Sequence, residues 1–213
     1  MNSGRLRLLH LREQNEAVGA EMIEEKKRFD RLADPASKPR TVSAFNLFQT
    51  PPHIAAQMAA LLLPELSPGS VVLEPSAGLG RLYRATREAG HAGPVVLAEQ
   101  SPDCCRELYD MTREDRQVKL KQGDFLDMDL EADAVVMNPP FKMGRDIKHI
   151  LHAFDLLKPG GLLVSLCYNG VKQNKKLKPL ADSWEVLPAN SFKTEGTRAE
   201  AALLTIRKQE SCK

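Results

Sequence analysis

The fold class of this chain is decided by one short stretch, VVLEPSAGLG, at residues 71–80. Its apolar start predicts a buried strand over residues 71–73, and its two glycines allow the backbone to turn tightly afterwards. Helical spacing of apolar residues follows over residues 79–89 and stops at Gly90. A strand that passes through a glycine-containing turn into a helix is the repeating unit of an alternating α/β fold.

The same alternation continues on both sides of this stretch. Further strands are predicted at residues 95–98, 118–121, 134–137 and 162–167, and further helices at residues 54–63, 102–114 and 147–157. Strands at residues 184–187 and 201–206 are predicted to form a final antiparallel pair. This order predicts a mostly parallel, doubly wound sheet with helices on both faces. Such sheets bind ligands beyond the carboxyl ends of their strands, so functional residues are expected directly after each strand.

The 213 residues are enough for one α/β domain and an appendage. Apolar residues at roughly helical spacing predict a helical arm over residues 1–33, and a proline-containing linker completes a first segment, residues 1–40. The main domain is expected at residues 41–208 and a short tail at residues 209–213. The arm is a candidate for contact with a partner. Because the N-terminus is charged and the apolar runs are short, a cytoplasmic location without membrane contact is expected.

Metal binding is not expected from the cysteines or histidines. The chain has four cysteines, which are Cys104, Cys105, Cys167 and Cys212. They form no CxxC pair, which favours reduced structural thiols. His149 and His152 are three residues apart on a predicted helix, but no third ligand lies nearby in the sequence. They are therefore interpreted as surface or packing residues.

Charge is segregated along the chain although the net charge is only +2. Residues 99–133 carry 11 acidic and 5 basic side chains, whereas residues 142–178 carry 8 basic and 2 acidic ones. The basic region includes Lys172, Lys175, Lys176 and Lys178, just after the fifth strand. These lysines are candidates for contact with phosphates, and a solvated lysine-rich loop is the alternative.

Three acidic side chains follow the first three strands. Glu74 precedes the glycine turn and suits a ligand that carries an ammonium group. Glu99 ends the second strand, where a carboxylate commonly accepts hydrogen bonds from two ribose hydroxyls. Asp124 follows the third strand and could accept from an adenine amino group, with Phe125 packed on the ring. Each feature alone also fits an ordinary turn or a surface acid. The glycine turn lacks the pattern GxGxxG, so a dinucleotide cofactor is not favoured.

The fourth strand leads into the most specific motif of the chain, Asn138-Pro139-Pro140-Phe141. Two consecutive prolines fix two φ angles and remove two N–H donors. The carbonyls of Asn138 and Pro139, with the Asn138 side-chain oxygen, would form a rigid group of acceptors beside an aromatic ring. Two acceptors that engage both hydrogens of an exocyclic NH2 favour a nitrogen with a freer lone pair. The substrate is then the nucleophile, and no catalytic Cys, His or Lys is needed.

With these motifs in this order, residues 45–207 resemble the class I, Rossmann-like, S-adenosylmethionine-dependent methyltransferases. The resemblance is to amino-methyltransferases with an Asn-Pro-Pro-aromatic motif, and the order is similar to the gamma group of adenine DNA methyltransferases. It implies a seven-stranded sheet of order 3-2-1-4-5-7-6 with only strand seven antiparallel. It also implies S-adenosylmethionine as cofactor and the exocyclic amino group of adenine in DNA as the target, which would be flipped out of the duplex.

The resemblance also assigns roles to individual residues. Cofactor binding is implied for Phe48, Thr50, Glu74, Pro75, Ala77, Gly78, Gly80, Glu99, Asp124, Phe125 and Asn138. Catalysis is implied for Asn138, Pro139, Pro140 and Phe141. Phe141 and Phe192 are expected at the substrate, where Phe192 would cover the flipped base. Independently of the resemblance, their position after the fifth strand makes Lys172, Lys175 and Lys176 candidates for substrate binding.

Two departures from the family leave alternatives open. Arg81 follows the second glycine, where smaller or aromatic residues are frequent, and only seven residues follow Ile206, too few for a target-recognition domain. An RNA adenine methyltransferase, a protein glutamine methyltransferase and an inactive cofactor-binding scaffold are therefore also considered. Phe141 argues against the glutamine reading, because those enzymes more often have Tyr there.

Overall fold

Seven strands form one sheet in the computed structural model, which describes residues 48–197 and 199–210. The strands are β1 (Val72–Pro75), β2 (Val95–Glu99), β3 (Val118–Gln122), β4 (Ala132–Met137), β5 (Leu157–Tyr168), β6 (Ser183–Val186) and β7 (Ala201–Arg207). Their spatial order is β3-β2-β1-β4-β5-β7-β6. The pairs from β3 to β5 are parallel, and β7 is antiparallel to both β5 and β6. The predicted strand order and the direction of the seventh strand are confirmed.

The described residues contain five α-helices. They are α1 (Pro52–Leu62), α2 (Arg81–Glu88), α3 (Pro102–Thr112), α4 (Arg145–Leu156) and α5 (Val171–Lys176). Proline at the start of α1 and α3 suits the first turn of a helix, because a backbone N–H at that position would have no acceptor within the helix. Ser101 caps α3, because its side chain accepts from the N–H of Cys104. The sequence predicted four of these helices and treated the segment that forms α5 as a loop.

The hydrophobic core lies on both faces of the sheet. One cluster joins α1 and α2 to side chains such as Val72, Leu97 and Val164. The other joins α4 to side chains such as Leu73, Val135 and Leu163. Neighbouring residues of one strand thus enter opposite clusters, as the alternation of side chains along a strand requires. Because both faces are covered, the open carboxyl ends of the strands remain for a ligand.

Several expectations fall outside the described residues. The predicted helical arm at residues 1–33, the linker and Cys212 lie there, so they stay predictions. The other three cysteines are buried and free of disulfide bonds. Within the described part of the chain, no helix is long and apolar enough to cross a bilayer, and no group of three potential metal ligands occurs.

Candidate active site

A pocket of about 390 Å³ lies at the carboxyl ends of β1, β2, β3 and β4. Its volume falls in the usual range for sites that bind small molecules and cofactors. The residues that line it are Phe48, Gln49, Thr50, Glu74, Ser76, Ala77, Gly78, Leu79, Arg81, Leu82, Ala98, Glu99, Gln100, Ser101, Pro102, Gly123, Asp124, Phe125, Asn138, Pro139, Pro140, Phe141, Arg145 and His149. The structure therefore brings the glycine turn, the acidic side chains after the first three strands and the Asn-Pro-Pro-Phe motif together at one pocket.

Glu74 forms the buried end of the pocket, with only 2% of its surface exposed. Burial raises the pKa of its carboxyl to about 8, and the neighbouring Glu99 adds to this. Hydrogen bonds from the backbone of Tyr83 and Leu82, at the start of α2, act in the opposite direction. The Oε2 atom has no hydrogen-bond partner. A cation placed here would supply the missing partner and favour the ionised carboxylate.

Glu99 holds the glycine turn against the end of β2. Its Oε2 accepts from the N–H of Gly78 at 2.8 Å, and its Oε1 accepts from the N–H of Ser101 at 2.7 Å. Gly78 has a φ of 55°, a left-handed conformation that favours glycine. Each carboxylate oxygen can accept more than one hydrogen bond, so Glu99 retains acceptor capacity for ligand hydroxyls.

The side chains after β3 form a second wall of the pocket. Asp124 accepts from the N–H of Leu126 at 3.1 Å and pairs with Arg145 Nη2 at 3.2 Å. Phe125 is buried and packs against His149, with ring centroids 5.7 Å apart. The sequence placed Asp124 and Phe125 here but missed the basic partner Arg145, which begins α4.

The side chain of Asn138 is held in one orientation by the segment that precedes α1. Its Nδ2 donates to the carbonyl oxygen of Phe48 at 3.0 Å and to Oγ1 of Thr50 at 3.1 Å. Both N–H bonds are thus used, and the amide oxygen is left as an acceptor at the pocket wall. Neither the Asn138 nor the Pro139 carbonyl accepts a loop or turn hydrogen bond from another described residue. Phe141 is half-buried beside them.

Arg81 connects this segment to the turn before β7. Its Nε donates to Gln49 Oε1 at 2.7 Å, and its Nη2 lies 3.8 Å from Glu195 Oε2. Gln49 stands between Phe48 and Thr50, the two partners of Asn138. The Arg81 side chain therefore links two distant segments around the pocket.

His149 is a pocket residue that the sequence reading missed. It is 3% exposed, its Nδ1 lies 3.3 Å from Ser76 Oγ, and its Nε2 has no partner. Burial, together with the nearby Arg145 cation, lowers the pKa of His149 to about 4, so the ring is neutral at pH 7. The available signal was its position, one helical turn after Arg145 on the helix that follows the Asn-Pro-Pro-Phe motif. His152 conforms to the packing interpretation, since it lies edge-on to Phe125.

Some predicted site residues lie elsewhere. Pro75 pairs with Ala98 inside the sheet, and Gly80 caps α2, so neither lines the pocket. The expectation that Phe192 covers a base is wrong, because this ring is 2% exposed and packs into the core. The turn before β7 directs the ring inward, where burial of its apolar surface stabilises the fold. Lys172, Lys175, Lys176 and Lys178 are exposed outside the pocket, on α5 and directly after it.

The donor and acceptor groups of the pocket fit the cofactor that the sequence implied. The unpartnered Oε2 of Glu74 suits the ammonium of a methionyl group, and the two oxygens of Glu99 suit the hydroxyls of a ribose. Phe125 offers an apolar surface for an adenine ring at the far wall. These groups occupy consecutive strand ends, as one elongated ligand requires.

Comparison with known proteins gives a fold but no family assignment. No protein-family model matches the sequence, and no curated protein matches it. A Pyrococcus horikoshii protein assigned to the RNA methyltransferases is 20% identical with a TM-score of 0.66, covering 87% of this chain and 98% of that one. An RNA methyltransferase of Salinibacter ruber, solved with S-adenosyl-L-homocysteine, is 22% identical with a TM-score of 0.55, covering 78% and 96%.

The chain therefore has the Rossmann-like fold of these methyltransferase structures. The cyclase SpnF also has it, at 17% identity and a TM-score of 0.58, covering 73% of this chain and 81% of that one. One fold thus serves more than one reaction, and the reaction has to be argued from the site.

Proposed function

We propose that this protein is an S-adenosylmethionine-dependent N-methyltransferase that acts on the exocyclic amino group of adenine in DNA. The observation that carries the proposal is the orientation of Asn138. Because Phe48 and Thr50 engage both N–H bonds of its amide, only the oxygen is offered to a ligand. An acceptor fixed in this way, beside the Pro139 carbonyl and the Phe141 ring, matches a planar amino group with two hydrogens.

The cofactor would lie across the ends of β1, β2 and β3. Bound S-adenosylmethionine supplies an electrophilic methyl group on a positively charged sulfur. Glu74 would pair with the methionyl ammonium, and Glu99 would accept from the ribose hydroxyls while keeping its bonds to Gly78 and Ser101. Asp124 and Phe125 would bind the adenine ring, with Arg145 and His149 completing that wall.

The catalytic work of the protein is then positioning. Asn138 and the Pro139 carbonyl would each accept one hydrogen of the target amino group, and Phe141 would stack on its ring. This arrangement directs the nitrogen lone pair at the methyl carbon, so the N–C bond forms as the C–S bond breaks. The nitrogen loses one proton to solvent after transfer. No side chain acts as a nucleophile, which is consistent with the raised pKa values of the buried thiols Cys104, Cys105 and Cys167.

RNA is the second candidate substrate. The specific observation in its favour is that both methyltransferases of similar fold described above bear RNA in their names. The Asn-Pro-Pro-Phe motif and the exposed lysines of α5 serve either polymer, since both carry phosphates and adenine. DNA is preferred because the order of the motifs is similar to that of the gamma group of adenine DNA methyltransferases.

Methyl-labelled S-adenosylmethionine, offered separately with DNA, RNA and a protein extract, tests the proposal. We expect label in DNA with the parent protein and little or none with Asn138→Ala. Label in RNA alone would replace DNA by the second candidate. Label in protein, or cofactor binding without transfer to any polymer, would contradict the proposal.

A further inference from the structure

An apolar side chain stands almost fully in solvent next to the proposed catalytic motif. Met143, two residues after Phe141, is 91% exposed. Its φ of 58° and ψ of 22° place it in the left-handed region, which a residue with an unbranched apolar side chain rarely adopts. Gly144 follows in the same region and donates to the Phe141 carbonyl at 3.3 Å. Non-glycine residues held in this conformation cluster at functional sites.

A buried network fixes the surroundings of Met143. Asp146, three residues further on, is fully buried, and its two oxygens accept from Gln173 Nε2 at 3.0 and 2.9 Å. The same carboxylate accepts from the N–H of Tyr168, at the end of β5, at 3.0 Å. The start of α4 is therefore joined to α5, and the exposed Met143 and the lysines of α5 share one rigid edge.

The charge of this edge indicates its partner. Lys172, Lys175 and Lys176 are exposed on α5, around the buried Gln173 that binds Asp146. Because Asp146 is buried in hydrogen bonds, it is not available to pair with these lysines at the surface. A basic surface can bind the phosphates of a nucleic-acid backbone. A projecting apolar side chain can enter the stack of bases between the two strands.

We infer that Met143 is a wedge that enters a nucleic-acid duplex and fills the space left by the flipped target adenine. The inference rests on the proposed function, since a base must leave the stack to reach Asn138. Proteins that insert apolar side chains between base steps use Met among other residues. The backbone at Met143 already presents the side chain to solvent before the duplex arrives, so little backbone ordering would accompany insertion.

Substitutions at Met143 can separate the apolar side chain from its backbone conformation. Asparagine tolerates the left-handed region, so Met143→Asn removes the wedge without adding strain. Met143→Leu keeps an apolar side chain of similar volume. Tyr109→Gln is the control for loss of an exposed side chain outside this edge. Tyr109 is 66% exposed on α3, which packs against β2 and β3.

The methylated site is first mapped with the parent protein. The experiment then compares two duplexes that contain this site. In one the target adenine is paired, and in the other it lies opposite an abasic site, which makes flipping easier. For Met143→Asn we expect kcat/KM to fall roughly ten- to a hundredfold on the paired duplex and less than about twofold on the abasic one. Met143→Leu should stay near the parent on both. 2-Aminopurine at the target position should also fluoresce less with Met143→Asn than with the parent.

Several results would overturn the inference. They are an unchanged rate on the paired duplex, equal losses on both duplexes, an equal loss in Tyr109→Gln, or methylation by the parent of single strands only. The proposed function fails separately, if the parent methylates no nucleic acid at all.

Discussion

The pocket has two parts that are held in place differently. The cofactor half, residues 74–80 with Glu99, is fixed by backbone groups at neighbouring strand ends, such as the Gly78 N–H on Glu99. The substrate edge, residues 138–143 with α5, is fixed by side chains that are far apart in sequence, such as Asn138 with Thr50 and Asp146 with Gln173. The first arrangement follows from the fold itself. The second depends on individual side chains rather than on the sheet, and specificity for a substrate is expected there.

The largest effect is expected from a substitution that changes only the substrate edge. Asn138→Ala removes one acceptor for the target amino group and should lower turnover by roughly a hundred- to a thousandfold, by analogy with the loss of one oxyanion-hole donor. Cofactor affinity should change little, because Glu74 and Glu99 are untouched. Calorimetry and methyl-transfer assays on the same preparation check both statements. A parallel fall in cofactor affinity would show that the two parts are not separable.

Glu99→Ala is the complementary change in the cofactor half. Loss of a charged hydrogen-bond partner costs about 1.5–3 kcal/mol, which corresponds to a cofactor affinity lower by roughly ten- to a hundredfold. Transfer at saturating cofactor should approach the parent rate. Glu88→Ala, which removes an exposed carboxylate on α2, is the matched control. Unchanged affinity in Glu99→Ala would remove this residue from the cofactor site.

The lysines of the substrate edge should act through salt dependence. If Lys172, Lys175, Lys176 and Lys178 contact phosphates, replacing all four by glutamine should reduce the slope of log affinity against log salt by about one unit per contact. Binding of the polymer is measured by anisotropy between low and moderate salt. Equal slopes for variant and parent would return these lysines to a solvated surface.

Thr50→Val tests how much Thr50 contributes to the orientation of the Asn138 amide. Valine keeps the shape of the 2% exposed threonine but cannot accept from Asn138 Nδ2. A hydrogen bond of this kind contributes about 1 kcal/mol, so turnover should fall by roughly fivefold. Cofactor affinity and melting temperature are measured in parallel. Turnover equal to that of the parent would mean that the Phe48 carbonyl alone orients the amide.

The remaining prediction concerns the effect of pH on stability rather than on activity. Burial raises the pKa of Glu74 from 4.5 to about 8 in the folded chain, so its contribution to stability is present below pH 4.5 and is lost as pH rises through 8. Glu74→Gln cannot ionise. The melting temperature of this variant, relative to the parent and without cofactor, should therefore rise between pH 5 and pH 9. The same trend in Glu88→Gln would contradict the assignment to Glu74.

Features that depend on local sequence were predicted, whereas contacts that depend on tertiary packing were missed or misplaced. Periodicity and the glycine turn predicted a mostly parallel sheet with functional residues after its strands, because strand ends of a parallel sheet meet at one edge. The strand order and the full set of cofactor residues followed only from the family resemblance. The Asn-Pro-Pro-Phe motif was located because its chemistry is local. Arg145 and His149 were missed, since their approach to Asp124 and Ser76 depends on how α4 packs. Phe192 was misplaced because tertiary packing, which local sequence does not reveal, decides whether an aromatic ring faces the core or the pocket.

The position of the transferred methyl group tests the central claim most directly. The nucleic acid that takes the label is digested to nucleosides, and the labelled nucleoside is identified by mass spectrometry against synthetic standards. We predict methyl on the exocyclic nitrogen of adenine, because Asn138 and the Pro139 carbonyl offer acceptors for its two hydrogens. Methyl on a ring nitrogen or on carbon would contradict the account, since those atoms present no pair of hydrogens to these acceptors.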